Sequence, residues 1–174
     1  SVTMTAHASH LAVNQQLAPH PAVCPEACQN EGATYQLAQL PLAIVAPEDM
    51  IKPGKRQQLI SRLTGIIDME GPISRRLLYR RLLQSCGIAR LSPRLEACVD
   101  EVSAASGRPM TGSVENIFFW TREQDPRTYA AWRIAGDDNS RRQPEDLPPE
   151  EIAAAVRQIL AKQIGLPRTD LIRE

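Results

Sequence analysis

The chain has no excess of charge of either sign: 20 Lys and Arg offset 20 Asp and Glu, so the formal net charge is zero. A surface that tracks a polyanion along its whole length needs clustered cations, so any nucleic-acid contact here must come from a local patch. Aromatic residues are scarce at 4% of the chain, while prolines number 14, which leaves Leu, Ile, Val and Ala to build the core. No apolar run approaches the ~18 residues of a membrane span, and no basic segment leads into an apolar stretch at the start. A soluble protein is expected. Histidine occurs only at His7, His10 and His20. Cys86, Cys98 and every later serine therefore have no imidazole near them in sequence, and Cys–His or Ser–His–Asp catalysis has nothing to work with. A phosphate loop, a Gly-rich dinucleotide turn and a zincin motif are all missing as well. The expectation is a chain without a catalytic site or cofactor.

Metal ligation has one candidate set. His7, His10, His20, Cys24 and Cys28 lie in one segment, but the cysteines are separated by three residues that include Pro25, and no second Cys pair follows. These spacings match no zinc pattern, so a linker is expected there and no metal. Cys86 and Cys98 fall inside helical patterns and read as small buried hydrophobes, as in a reducing cytosol.

What is present is organised unevenly. Residues 1–51 hold no Lys or Arg, four acids and five prolines, and read as a linker or weakly structured extension in which Leu37, Leu40, Leu42, Ile44 and Val45 are the residues able to lie on a core. Regular periodicity begins after Pro53-Gly54. Leu59, Leu63, Ile66 and Ile67 repeat at i, i+4, i+7, i+8, one apolar stripe of a helix that Gly71-Pro72 ends. A second helix is predicted from about Ile73 to Ser85, stopped by Gly87. Ser92 as N-cap and Pro93 at the first helical position open a third helix to about Ala105, with Leu95, Cys98, Val99 and Val102 facing inward. Ile117-Phe118-Phe119-Trp120, bounded by turn residues, reads as a strand that sends Phe118 and Trp120 to one face and Phe119 to the other. At least one of those faces is core, which disfavours a base-stacking role, and Trp132 is expected over the same cluster.

The order of three helices and a short hairpin predicts a mainly α (α+β) fold with a winged-helix-like core over residues 52–136. A polar loop follows at 137–148, then a further C-terminal helix within 149–174 whose inner face is expected to be Ile152, Val156, Ile159, Leu160 and Gln163. Gly165-Leu166-Pro167-Arg168 echoes the Gly71-Pro72-Ile73-Ser74 turn and reads as the onset of a second helix-turn unit. With no Met at position 1 and this pattern running on to Glu174, the chain is expected to be a piece of a larger protein.

Charge supplies the functional candidates. Residues 71–94 contain six arginines and no acid. At about 100° per residue, Arg75, Arg76, Tyr79 and Arg80 share one polar arc of the second helix, while Arg81 falls among leucines and is expected to pair with Asp68 or Glu70. The arc reads either as a phosphate-contacting face or as a solvated one. Glu96, Asp100 and Glu101 make the third helix acidic, so base readout through it is not expected. The candidate nucleic-acid contacts are Arg75, Arg76, Arg80, Arg94 and Arg108.

Three stretches carry a resemblance: Ile67-Asp68-Met69-Glu70-Gly71-Pro72-Ile73, Leu77-Leu78-Tyr79-Arg80-Arg81 with Cys86-Gly87-Ile88-Ala89-Arg90, and Leu147-Pro148-Pro149-Glu150-Glu151-Ile152. Together with Ile117–Trp120 they resemble a domain-of-unknown-function family found near the C-terminus of large bacterial DNA-helicase-related proteins, beside superfamily 1 ATPase motifs and often a restriction-endonuclease-like domain. The resemblance spans roughly residues 50–174. It implies an accessory module beside a helicase or nuclease; with the basic face read from charge and the cytosolic cysteine usage, the expectation is a non-catalytic cytoplasmic module that binds DNA without strong sequence specificity. The competing reading is a protein-interaction or homodimerisation module that docks on the parent's helicase or nuclease domains.

Overall fold

The computed structural model describes residues 32–164. The fold is α+β. In chain order it comprises strand β1 (Ala33–Tyr35), short helix α1 (Pro47–Met50), α2 (Arg56–Glu70), β2 (Ile73–Ser74), α3 (Arg75–Ser85), α4 (Pro93–Ala105), β3 (Met110–Ser113), β4 (Asn116–Phe119), β5 (Arg133–Ala135) and α5 (Pro149–Ile164). The His7–Cys28 segment and the repeat expected after Gly165 lie outside the described residues.

Helices α2, α3 and α4 close around one apolar core. Leu59, Leu63, Ile66 and Ile67 from α2 meet Leu77, Leu78 and Leu82 from α3, and Leu95, Val99 and Val102 from α4. Each stripe follows the spacing that puts side chains three and four apart on one helix face. The ends are set locally. The Ser74 hydroxyl accepts from the Leu77 N–H, which starts α3 two residues later than the periodicity alone predicts, and Ser92 does the same for Leu95 at α4. Cys98 is only half-buried, so the inner stripe of α4 is narrower than expected.

A three-stranded antiparallel sheet in the order β2-β4-β3 leans on this bundle. Register pairs Ile73 with Phe119 and Met110 with Phe119 from the two sides of β4. Phe119 enters the helical core; Trp120, pointing to the other face, meets Tyr129 edge-on at 5.2 Å and donates from its indole to the Thr111 hydroxyl at 2.8 Å. Both faces of the strand are therefore covered, and Phe118, Phe119 and Trp120 are all fully buried. The β3–β4 hairpin turns at Gly112, whose φ of +100° and 2.0 Å approach of a would-be Cβ to the Asn116 carbonyl admit only glycine.

Residues 32–51 differ from the linker reading. Tyr35 is buried, β1 pairs in parallel with β5 one hundred residues on, and Ala38, Leu40 and Val45 pack on the helical core. The backbone N–H groups of Ala43 and Val45 donate to the carbonyls of Ser85 and Cys86, so the segment runs along the end of α3. Leu42 and Ile44, expected inside, point to solvent, and Val45 takes the place on the core.

The largest departure is α5. Its expected inner face is its outer one: Ile152, Val156, Ile159 and Leu160 are about half exposed, while Glu151 and Ala154 are buried. The cause is a polar centre beneath the helix. Glu151 accepts two bonds from Arg142 (2.6 and 2.8 Å) and two from the Arg133 guanidinium (2.8 and 3.2 Å), plus the Arg133 N–H at 2.9 Å. Arg133 spans onward to the carbonyls of Glu70, Gly71 and Pro72, holding the turn after α2. Both guanidinia stack on Tyr35, 5.0 and 4.3 Å from the ring centroid, and the Tyr35 hydroxyl donates to Glu70 Oε2 at 2.6 Å. Two buried cations need a buried anion more than the core needs another isoleucine, so α5 turns Glu151 inward.

Candidate nucleic-acid interface

The five arginines expected to meet phosphate sit in three places. Arg75, Arg76 and Arg80 line one surface cavity of about 400 Å³ on α3, together with Tyr79, Ala89, Leu91, Glu96 and Glu115. Arg94 lies on the far flank of α4, lining a second cavity with Arg56, Cys98 and Glu101. Arg108, after α4, is almost fully buried and bonds Asp68 on α2. Helix geometry therefore gathers the α3 trio as the polar arc implied, but Arg94 and Arg108 are not part of that surface.

Pairing changes what these side chains can do. Arg75 donates to both carboxylate oxygens of Asp100, at 2.6 and 2.8 Å, and to Glu96 at 3.2 Å. Tyr79 stacks beneath the same guanidinium and gives its hydroxyl proton to Asp100. Burial, and then the bond to the Asp100 carboxylate, push the Tyr79 phenol above its ordinary value. The single Arg75 guanidinium thus offsets part of the charge of two acids across the α3–α4 groove, and Glu101 is met by Arg56 at 3.2 Å. The charge of Arg75 is engaged within the fold.

Arg76 reaches away from α4. It donates to the buried Asp146 at 2.9 and 3.2 Å, and Asp146 also accepts from the Ser74 hydroxyl at 2.6 Å. Burial alone would raise the Asp146 carboxyl, but the bonds from Arg76 and Ser74 hold it below the ordinary range. Arg76 therefore fastens α3 to the loop before α5. Arg81, set among leucines, meets Glu70 at 3.4 Å, one of the two partners its position implied.

Among the described residues, Arg80, Arg90 and Arg94 are the arginines of this region that form no hydrogen bond or ion pair. All three are exposed. Arg80 lies midway along α3, Arg90 in the connection to α4 and Arg94 in the first turn of α4, and residues 71–94 contribute no acid. Arg90, between the two helices, was legible from sequence only as one of six arginines.

Residues 48–97 match a family described as Protein of unknown function (DUF3320). The chain is similar to that family from α1 to the first turn and a half of α4, a span that takes in Arg75, Arg76, Arg80, Arg90 and Arg94 but not Arg108, the sheet or α5. No curated protein and no solved structure matches the chain. The described residues contain no group of three or more His, Cys, Asp or Glu able to hold a metal ion, and no helix long and apolar enough to cross a membrane.

Proposed function

We propose that this chain is a DNA-binding module of winged-helix type that grips phosphates without reading bases, serving a bacterial helicase- or nuclease-related protein. The order helix, short strand, two helices and a two-stranded hairpin, with β2 paired to β4, is the order expected of a winged helix and supports that part of the reading. The observation that carries the function is that three arginines, from the middle of α3 to the start of α4, are exposed and unpaired. Arg80 and Arg94 belong to the set expected from sequence; Arg90 joins them. Arg75 and Arg76 act indirectly, by offsetting part of the charge of Glu96 and Asp100 and that of Asp146, which would otherwise repel the backbone.

The association with helicase-related proteins extends the sequence resemblance and is part of the same proposal. Its test is a fluorescence-anisotropy titration of labelled duplex and single-stranded DNA over a range of salt. Each phosphate contact removed should lower the slope of log affinity against log salt by about 0.9 on duplex. An Arg80→Ala/Arg90→Ala/Arg94→Ala variant should thus lose a slope of nearly 3, while Arg75→Ala, which frees Glu96 and Asp100, should weaken binding with a slope loss well below that. Absence of binding by the folded protein at low salt sinks the reading.

A further inference from the structure

The cavity of about 400 Å³ beside Arg80 holds groups that a grip on phosphate does not use. Its lining draws on α3, the connection to α4, the first turn of α4 and the turn of the β3–β4 hairpin. Leu83, Ala89 and Leu91 make part of it apolar, and Glu96 and Glu115 bring carboxylates. Glu96 spends one oxygen on Arg75, whereas Glu115 has no ion-pair partner among the described residues. A phosphate is repelled by a free carboxylate and gains nothing from leucines. We propose that the cavity takes one unpaired DNA base, so that the module favours single-stranded or locally opened DNA over intact duplex. This rests on the DNA-binding reading and adds to it the form of DNA that the site recognises.

A base outside the stack matches each part of the lining. Its flat faces are buried against Leu83 and Leu91. Arg75, held by Asp100 and lying over the Tyr79 ring at 5.2 Å, is a planar cation already fixed in place for a ring to stack on. The pairing edge of every base carries at least one N–H donor. In a paired duplex that donor is spent on the opposite strand; in an extruded base it is free for the Glu115 carboxylate. Glu115 thus registers that a base is unpaired, whichever base it is, in keeping with a module that reads no sequence. Arg80, exposed and unpaired, meets the phosphate of the same nucleotide. The volume falls in the range of roughly 300–1,000 Å³ typical of small-ligand sites, enough for one nucleotide. Phosphate attraction alone would give the opposite order, because duplex DNA carries the higher charge density and the steeper salt dependence.

The experiment is a competition titration of the full chain at fixed low salt, read by fluorescence anisotropy, with three duplexes of equal length. One is fully paired, one has a single bulged thymidine, and one has a single bulged abasic residue. The two bulged duplexes carry the same phosphates and differ in the base alone. The thymidine bulge should bind about tenfold tighter than either of the others. Glu115→Ala should weaken binding of the thymidine bulge by about fivefold and strengthen that of the paired duplex, since a like charge is then gone. Glu115 is exposed, so the far-ultraviolet circular dichroism spectrum of the variant should match the parent's. A thymidine bulge that binds no tighter than the abasic one overturns the proposal and leaves the DNA reading standing, and so does a preference that Glu115→Ala leaves unchanged. Failure of all three duplexes and of single-stranded DNA to bind at low salt overturns both.

Discussion

Replacing Glu151 with Gln removes one negative charge from beneath α5 and leaves its shape nearly intact. The side chain is 4% exposed, Arg142 is 4% exposed and Arg133 10%, so neither guanidinium can recover its loss from water. Gln keeps one acceptor oxygen but replaces the other with an amide that faces Arg142 and Arg133 as a donor against donors. Stripping one member from a buried ion pair costs about 3–5 kcal/mol, because the partner's charge stays buried without compensation. Here two arginines share the carboxylate and also stack on Tyr35, so the loss should fall in the upper half of that range. Set against a total stability of about 5–15 kcal/mol, this is enough to leave the protein marginal. Equilibrium urea unfolding followed by circular dichroism should show the midpoint moving down with the slope unchanged. Replacing Arg142 with Met in the Gln background should return part of the loss, since one uncompensated cation is then gone. A loss below about 1 kcal/mol in the single variant would show that the arginines find water or another acceptor, and the account of why α5 turns its carboxylate inward would fail.

Two further outcomes follow from the same contacts. Glu151 and Asp146 both titrate below their ordinary values of 4.5 and 3.8 in the folded chain; burial works against this in each case, and bonds from Arg142 and Arg133, or from Arg76 and Ser74, outweigh it. A depressed carboxyl contributes stability that is complete above its ordinary value and is lost as pH falls through the lower folded one. Thermal midpoints should therefore hold from neutral pH to about pH 5 and drop steeply below about pH 4, a drop smaller in Glu151→Gln than in the parent; equal drops would remove Glu151 from the acid response. Ser74→Ala takes away the N-cap of α3 and one bond to buried Asp146, and should cost about 2 kcal/mol in the same urea assay, whereas a cost within error would mean that Arg76 alone satisfies Asp146.

The three core helices could be read from the chain because each carries its own period and its own stop: the Leu59–Ile67 stripe with Gly71-Pro72, and Ser92-Pro93 before Leu95. The Ile117–Trp120 strand was legible for the same local reason. The pairing of β1 with β5 was not, since it joins residues 33–35 to 133–135 and neither trio has a pattern of its own. α5 shows how a period can mislead. Its isoleucines mark a true apolar stripe, but which face turns inward was decided by Arg133 and Arg142, whose burial cannot be seen from α5 itself. In the candidate interface the arginine content was plain, yet the acids that occupy Arg75 and Arg76 lie 21 to 70 residues away and meet them only through packing.

Tyr35 has a bearing on what counts as the self-standing piece of this protein. The stretch of sequence shared with the family begins at residue 48 and ends at residue 97, and a cut made there would look natural. It would take the Tyr35 hydroxyl from Glu70, remove the Arg133 guanidinium from the carbonyls of Glu70, Gly71 and Pro72, and discard Asp146, the carboxylate that Arg76 and Ser74 share. Likeness and contact thus draw different borders: the shared stretch covers residues 48–97, while the side chains that brace its turns and helices reach from the tyrosine before α1 to the glutamate at the head of α5.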